Sequence, residues 1–512
     1  MSANKRTWIV AALLLPVASP AAHAGAVMLW NDTLLSIAQQ TSGLLTNGPP
    51  EIAREIAMVD TAMYDAVNAA TGQTYKPYAY GPGPMNASAD AAALQAGFTV
   101  MQSIFSNPVW GAPVSAAILP QITQAYTAGL ASLQPGAGTT LGLSIGAAAG
   151  NTMVALRAND GATAAIQAGL STFIPPGSAS VPGVYIPPTN RPAMFPTWGS
   201  VTPFTMTSSG QFPVLPAPAI TSAGYAASIL ETECLGPAGS LSAPVESACA
   251  AAGGDNNFGL RSAGKVGTIT GSIASNAQVA LFWNDPGGGT PTPPGHWLQI
   301  ADEVLQQQGV TDELQQARLG AMLGTAEADS GIAAWETKYL PFPIGTLWRP
   351  NNAIQDCNSW NASFTTCDPS WTSLIATPPH PDYVAGHPTF SQAAAAVLVD
   401  FFDADNISFC STSLPYINAG AAVPPITLCY DNFLAASSDA TISRIYGGIH
   451  TTYAVFNAQT LGAEIADNLI ANNFTPIGEP SSFALLGVGL AGLLAGRCRL
   501  RLKQYRGCPS RL

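Results

Sequence analysis

This sequence has little charge: Asp, Glu, Lys and Arg make up 9% of 512 residues, against 47% hydrophobic residues. So little charge beside so much apolar content excludes a chain held open by self-repulsion, and its length predicts two or three folded units. Cations are the scarcer sign, 18 against 30 acids, and eight of those 18 lie in the first 24 and last 16 residues, where no acid occurs. The long middle is therefore strongly acidic. Nucleic acid is excluded as a partner, because its phosphates would be repelled. Every Lys or Arg left in that middle calls for an explanation.

Long apolar runs are also missing, and the two short ones sit at the ends. Residues 1–24 have a basic start (Lys5, Arg6), an apolar stretch broken by Pro16 and Pro20, and the small-residue ending Ala22-His23-Ala24. That pattern is a secretory signal cleaved after Ala24, too short and interrupted to span a bilayer. At the other end, Pro476-Ile477-Gly478-Glu479-Pro480 precedes a short apolar segment and an Arg-rich tail. Residues 476–512 resemble a PEP-CTERM sorting tail, with Gly478 in place of the first Pro. The resemblance implies exosortase-type sorting machinery as a partner and membrane contact that is only transient, through the C-terminal helix. The body is then expected outside the cytoplasm: periplasm, outer surface or matrix of a Gram-negative bacterium.

Cysteine is sparse and has no zinc spacing: there is no Cys-x-x-Cys and no Cys/His cluster. Six of the eight fall as near neighbours, Cys234/Cys249, Cys357/Cys367 and Cys410/Cys429, and are expected to pair in that order in an oxidising compartment. Alternating strand patterns are nearly absent. Helical periodicity marks 33–40, 51–70, 88–105, 113–133, 141–158, 222–233, 268–283, 297–309, 311–340, 389–403 and 451–471. The fold class is therefore mainly α, helical bundles with long Pro/Gly-rich loops. Residues 25–221 form an N-terminal helical region whose Pro-rich stretch 174–220 is a surface strap, and 222–475 form a C-terminal bundle carrying the chemistry.

That chemistry concentrates in three stretches: Lys338 with Trp348-Arg349-Pro350; Pro381-Asp382-Tyr383-Val384-Ala385-Gly386-His387-Pro388; and Ser443-Arg444 with Gly447-Gly448-Ile449-His450. Pro388 suits the first position of a helix, leaving the N–H groups of Gly386 and His387 free for an anion. Gly447-Gly448 breaks the chain between Arg444 and His450, placing Arg444 in a loop. Two guanidinium groups, one ammonium and two imidazoles can then surround one oxyanion.

At these residues the chain resembles the superfamily of vanadium-dependent haloperoxidases and type 2 phosphatidic acid phosphatases. Its signature is Lys, six residues, Arg-Pro; then Pro-Ser-Gly-His; then Ser-Arg, five residues, His. The third block matches in full. The second has Ala385 for Ser, and the first has ten residues between Lys338 and Arg349, an insertion within 340–347. The likeness to bacterial haloperoxidases extends over about residues 30–475, including Leu29-Trp30-Asn31, Ala62-Met63-Tyr64-Asp65 and Pro293-Pro294-Gly295-His296-Trp297.

The resemblance implies haloperoxidase-like helical bundles, two in number, and vanadate as cofactor. It implies His450 as the vanadium ligand, with Lys338, Arg349, Arg444 and the Gly386 N–H on the oxygens. His387 and Lys338 become the catalytic groups acting on hydrogen peroxide. Trp335 and His380 flank the halide pocket, the His favouring bromide or iodide over chloride. The missing Ser hydroxyl at Ala385 removes a hydrogen bond worth about 1.5–3 kcal/mol to a charged oxygen. A phosphohydrolase using His450 as nucleophile is the alternative, as is a non-catalytic surface protein keeping the fold. Superfamily phosphatases carry Asp four residues after the second His. Ala454 stands there, leaving His450 without that partner. His296 is expected to have a capping or packing role.

Overall fold

The computed structural model describes residues 25–477, apart from 172, 189–191, 253–266, 270, 357–359 and 361–366. The leader, most of the sorting tail, Cys357, Cys498 and Cys508 lie outside the described residues.

Helices dominate. In the first half they are α1 (Ala26–Thr41), α2 (Pro49–Ala70), α3 (Ala89–Phe105), α4 (Ala112–Ser132), α5 (Ala137–Arg157) and α6 (Ala162–Gly169). After the strap come α7 (Ala223–Leu235), α8 (Ala243–Ala252), α9 (Asn276–Phe282), α10 (Thr292–Gln307), α11 (Glu313–Tyr339) and α12 (Pro350–Gln355). The last are α13 (Gly386–Phe402), α14 (Phe433–Tyr446) and α15 (Thr452–Asn472). The mainly α class is thus observed. The expected helix over 268–283 is instead a short hairpin, β1 (Thr268–Ile269) and β2 (Ser272–Ile273), followed by α9. Further strands β3 (Phe409–Thr412), β4 (Tyr416–Asn418), β5 (Ala421–Val423) and β6 (Thr427–Tyr430) were not anticipated, being too short to show an alternating pattern. The order β2-β1-β6-β3 forms one small sheet, and β4 pairs with β5.

Two helices make the spine. Almost every residue of α2 from Pro50 to Ala70 is buried, and α11 is buried along nearly all of its 27 residues. An all-round buried helix belongs in the centre of a bundle, and here the two lie against each other. Gly324 makes the approach possible, since a Cβ there would stand 2.9 Å from the Ala57 backbone. In the outer layer, Gly142 and Gly146 let α5 lie directly on α3: added Cβ atoms would meet the Ser88 and Ala92 carbonyls at 2.4 and 2.3 Å.

Buried carboxylates tie the irregular segments to this spine. Asp329 on α11 accepts the N–H groups of Phe204, Thr205 and Met206 at 2.7, 2.8 and 3.0 Å, anchoring the strap. Asp65 on α2 does the same for Tyr78, Ala79 and Tyr80. Two of the expected disulfides are present, Cys234–Cys249 between α7 and α8 and Cys410–Cys429 across β3 and β6. Each closes a short loop, a constraint worth about 3 kcal/mol. Such bridges persist in oxidising surroundings, which supports an extracytoplasmic location.

Candidate active site

Lys338 ends α11, one turn after Trp335. The longer spacing to Arg349 is absorbed in a turn over 340–347, which the Thr346 N–H closes onto the Lys338 carbonyl at 2.7 Å. Both cations therefore return to the interior, Lys338 fully buried and Arg349 at 1% exposure. Lys338 Nζ donates to the carbonyls of Pro381 and Asp382 at 2.9 and 3.3 Å. Arg349 donates from Nε to the His380 carbonyl (2.6 Å), from Nη2 to His380 Nδ1 (2.9 Å), and from Nη1 to both the Ile449 carbonyl (2.8 Å) and His450 Nε2 (3.0 Å).

Two expectations are corrected at the helix ends. Arg444 is not in a loop: Asn432 caps α14, a helix the periodicity did not reveal, and Arg444 occupies its last turn. Gly447-Gly448 still makes the break, and His450 precedes α15. Helix α13 starts at Gly386, two residues before Pro388, with Ala385 as an N-cap that offers no side-chain bond. The N–H groups of Gly386 and His387 thus lie in the first turn, where a helix supplies no acceptors of its own.

A cavity of about 130 Å³ brings these elements together, its floor formed by Asn284, Asp285, His380, Gly386, His387, Arg444 and His450. Trp335 lines it too, its ring 5.2 Å from that of His380. Lys338 and Arg349 are not among its lining residues, and most of their donors go to the backbone and imidazoles of residues that are.

The partner that sequence reasoning denied His450 is there. Asp382, fully buried, takes His450 Nδ1 at 2.6 Å and the Thr451 hydroxyl at 2.6 Å. It comes from the loop before α13, 68 residues away, rather than from the next turn of the same helix. Only its place two residues after His380 in the anion-binding stretch hinted at a role. Arginine can only donate, so His450 Nε2 is the acceptor toward Arg349 and the proton sits on Nδ1. His387 Nε2 faces the Asn284 carbonyl at 3.2 Å and is likewise the protonated nitrogen. His296 is a packing residue inside α10, as expected. It also holds Asp285, at 3.0 Å, beside the cavity.

The electrostatics ask for an anion. Burial pushes the Arg349 and Arg444 guanidinium groups down to about 10. Burial, with Arg349 alongside, holds Lys338 well below its ordinary value. Burial and the neighbouring cations also keep His380, His387 and His450 well below the usual imidazole range, hence neutral at pH 7. Two carboxylates stand against these groups: Asp382, itself raised to about 6 by burial despite Arg349, and Asp285, which acts on Arg444 and is shared with His296. Arg444 Nη1 reaches the Trp283 carbonyl, but its Nε is buried with no hydrogen-bond partner among the described residues. An oxyanion in this cavity would satisfy that donor. The donor set therefore fits vanadate or phosphate.

Residues 318–477 match the family model of the VCPO second helical-bundle domain. The fold is that of the vanadium haloperoxidases. The structure of a bacterial vanadium-dependent iodoperoxidase superposes with a TM-score of 0.64 at 20% identity, over 89% of this chain and 98% of that one. A holo-type bacterial vanadium-dependent chloroperoxidase gives 0.59 at 16% identity, over 85% and 94%. No curated protein matches the chain.

Proposed function

We propose that the chain is an exported vanadium-dependent haloperoxidase that oxidises bromide or iodide with hydrogen peroxide. The observation that carries this reading is the convergence of His387, Arg444 and His450 on one cavity, with Lys338 and Arg349 hydrogen-bonded to residues that line it and a donor left open on Arg444. Vanadate, when bound, supplies a Lewis acid that polarises peroxide without changing oxidation state.

The chain's own residues do the rest. His450 offers Nε2, the one lone pair on its ring, once Arg349 Nη1 swings from it to an oxygen. Asp382 keeps the proton on Nδ1, so that lone pair stays available. Arg444, Arg349, Lys338 and the Gly386 N–H neutralise oxygens. His387, which lines the cavity, donates or accepts a proton. Trp335 and His380 form the halide wall. The two disulfides favour work outside the cytoplasm. The leader and sorting tail supply the addresses for export.

A second reading is favoured by the Asp382–His450 pair. A carboxylate-oriented imidazole is the nucleophile of a phosphohydrolase working through a phosphohistidine, with His387 protonating the leaving group. The purified chain loaded with orthovanadate is expected to halogenate a phenolic dye with peroxide and bromide or iodide, and His450→Ala to abolish it. Phosphate release from an aryl phosphate without vanadate, and no halogenation with it, would transfer the assignment to the hydrolase. Neither activity, with no binding of either anion, would leave a non-catalytic surface protein.

A further inference from the structure

Two cations of the acidic body stand away from the candidate active site and close to each other. Only ten Lys and Arg lie between residues 25 and 496. Arg54 on α2 and Arg157 at the end of α5 line a second cavity of about 210 Å³, which shares no lining residue with the first. Its walls come from α2, the end of α3, the turn over 107–110, α5 and α6.

The two guanidinium groups differ in what they have left to give. Arg157 is spent: Nε donates to Asp160 Oδ2 (3.0 Å), Nη1 to the Pro203 carbonyl (3.2 Å) and Nη2 to the Thr202 carbonyl (2.6 Å). Arg54 is fixed at one edge only, where Nε donates to the same Asp160 oxygen at 2.7 Å. At its other edge Nη1 reaches Glu51 Oε1 at a long 3.4 Å, and Nη2 has no partner among the described residues. Glu51 is a poor counter-ion besides, since burial pushes its carboxyl up to about 7 despite Arg54. The Arg54 side chain is 12% exposed, against 2% for Glu51 and Arg157, so the open edge of the cavity's charge is Arg54's. Asp160 holds that edge in place: one oxygen takes both arginines and the other takes the Ala162 N–H at 3.0 Å.

The remaining lining is of another kind. Met58, Ile104, Val109, Val154 and Ile166 offer no side-chain hydrogen bond. Trp110 adds an indole N–H that has no acceptor among the described residues. A pre-set cationic fork beside an apolar wall is the complement of a carboxylate joined to a compact apolar group. A cation would face two guanidinium groups, and a hydrated inorganic anion would leave the wall uncovered. The volume of about 210 Å³ exceeds the roughly 150 Å³ of an apolar cavity that takes up benzene, which leaves room for one ring and its carboxylate.

We propose that this second cavity binds a small monocarboxylate of the benzoate class, its carboxylate on Arg54 Nη2 and the Trp110 N–H and its apolar part against Met58, Ile104, Val154 and Ile166. The site does not depend on the haloperoxidase reading, and no bond of the guest is made or broken there.

Calorimetric titration of the whole protein, with and without vanadate, tests this. Benzoate is expected to bind saturably in both, about tenfold or more tighter than benzamide, its neutral isostere, and than sulfate. Arg54→Gln is expected to weaken benzoate by the same factor. Because Arg54 also holds Asp160, Val154→Phe supplies a second variant: it fills the cavity from a partly exposed position on α5, leaves the ion pairs untouched, and is expected to abolish binding with the melting curve in place. In a crystal soaked with 4-iodobenzoate, the anomalous signal of iodine is expected among Met58, Ile104 and Ile166. Equal affinity for benzoate and benzamide, sulfate binding as tight, competition by vanadate, binding unchanged in Val154→Phe, or iodine found elsewhere would each overturn the proposal.

Discussion

Replacing Asp382 by Asn separates two things that a buried carboxylate does at once. It orients His450 through the 2.6 Å bond to Nδ1, and it places a negative charge one imidazole away from where an oxyanion would sit. The charge opposes anion binding: at about 7 Å and an effective dielectric of about 20, each unit of charge on the guest is disfavoured by about 2 kcal/mol. Orientation works the other way, and only for a guest that bonds to Nε2. An Asn of the same shape still accepts one hydrogen bond. It no longer requires Nδ1 to be the donor, because its amide can turn and present N–H instead. Partners that orient a metal-ligating imidazole typically contribute a factor of about 10–100 in affinity. Phosphate, held at equilibrium by charge and hydrogen bonds, is expected to bind Asp382→Asn as tightly as wild type or up to about tenfold tighter. Vanadate, which draws on the imidazole lone pair, is expected to bind about 10–100-fold more weakly. Calorimetric titration of both anions into the same two proteins measures this crossing directly. Affinities that move in the same direction by the same factor would refute the reasoning and reduce Asp382 to a charge.

Ala385→Ser restores a hydroxyl that can cap α13 and also donate to an anion. Stability is expected to rise by the roughly 1 kcal/mol of an N-cap, read as a higher melting temperature, and anion affinity to rise about tenfold or more. Tighter phosphate binding without any change in α13 stability, or the reverse, shows which role the hydroxyl takes, and a loss of both refutes the geometry. Arg444→Met removes a buried cation whose Nε is unpartnered among the described residues. The anion-free protein is expected to melt no lower, and the gain in melting temperature on adding vanadate to disappear; a large destabilisation without anion would mean Arg444 is structural. Burial raises the Asp60 carboxyl from 3.8 to about 8, with neither oxygen hydrogen-bonded among the described residues, so the folded state keeps a proton that the unfolded chain has released. Stability is then expected to fall by about 1.4 kcal/mol per pH unit from this group as pH rises from about 4 to about 8. Asp60→Asn should flatten that slope in urea titrations, and an unchanged slope rules the group out.

What could be read in advance follows from how local each signal is. Helical periodicity and caps lie within a few residues, which is why α2, α3, α4 and α11 are found almost to the residue. The cations and histidines were found because a chain with little charge makes each buried one conspicuous. The failures are equally physical. Helix α14 has only a modest apolar face, because Ser437, Asp439, Thr441, Ser443 and Arg444 are all buried in it, so its polar positions read as loop. Strands β3 and β6 are each four residues long and are joined through β4 and β5, too little for an alternating pattern to register.

The Asp382–His450 pair was missed for a deeper reason. Sequence reasoning looked for the carboxylate one helical turn after His450, where Ala454 stands. The requirement is not a position in the chain but an acceptor within reach of Nδ1, and a loop crossing from 68 residues away meets it equally well. A site is specified by which atoms must touch, so an empty position in a motif says only that the atom does not come from there. The same logic applies to Ala385. The hydroxyl it lacks leaves the donors around the floor one short, and Arg444 Nε, buried and unpartnered among the described residues, is a donor free to carry more of the anion's charge. If that is how the site compensates, Arg444 should matter less in Ala385→Ser than in the native chain, and a double-mutant cycle on anion affinity measures the difference.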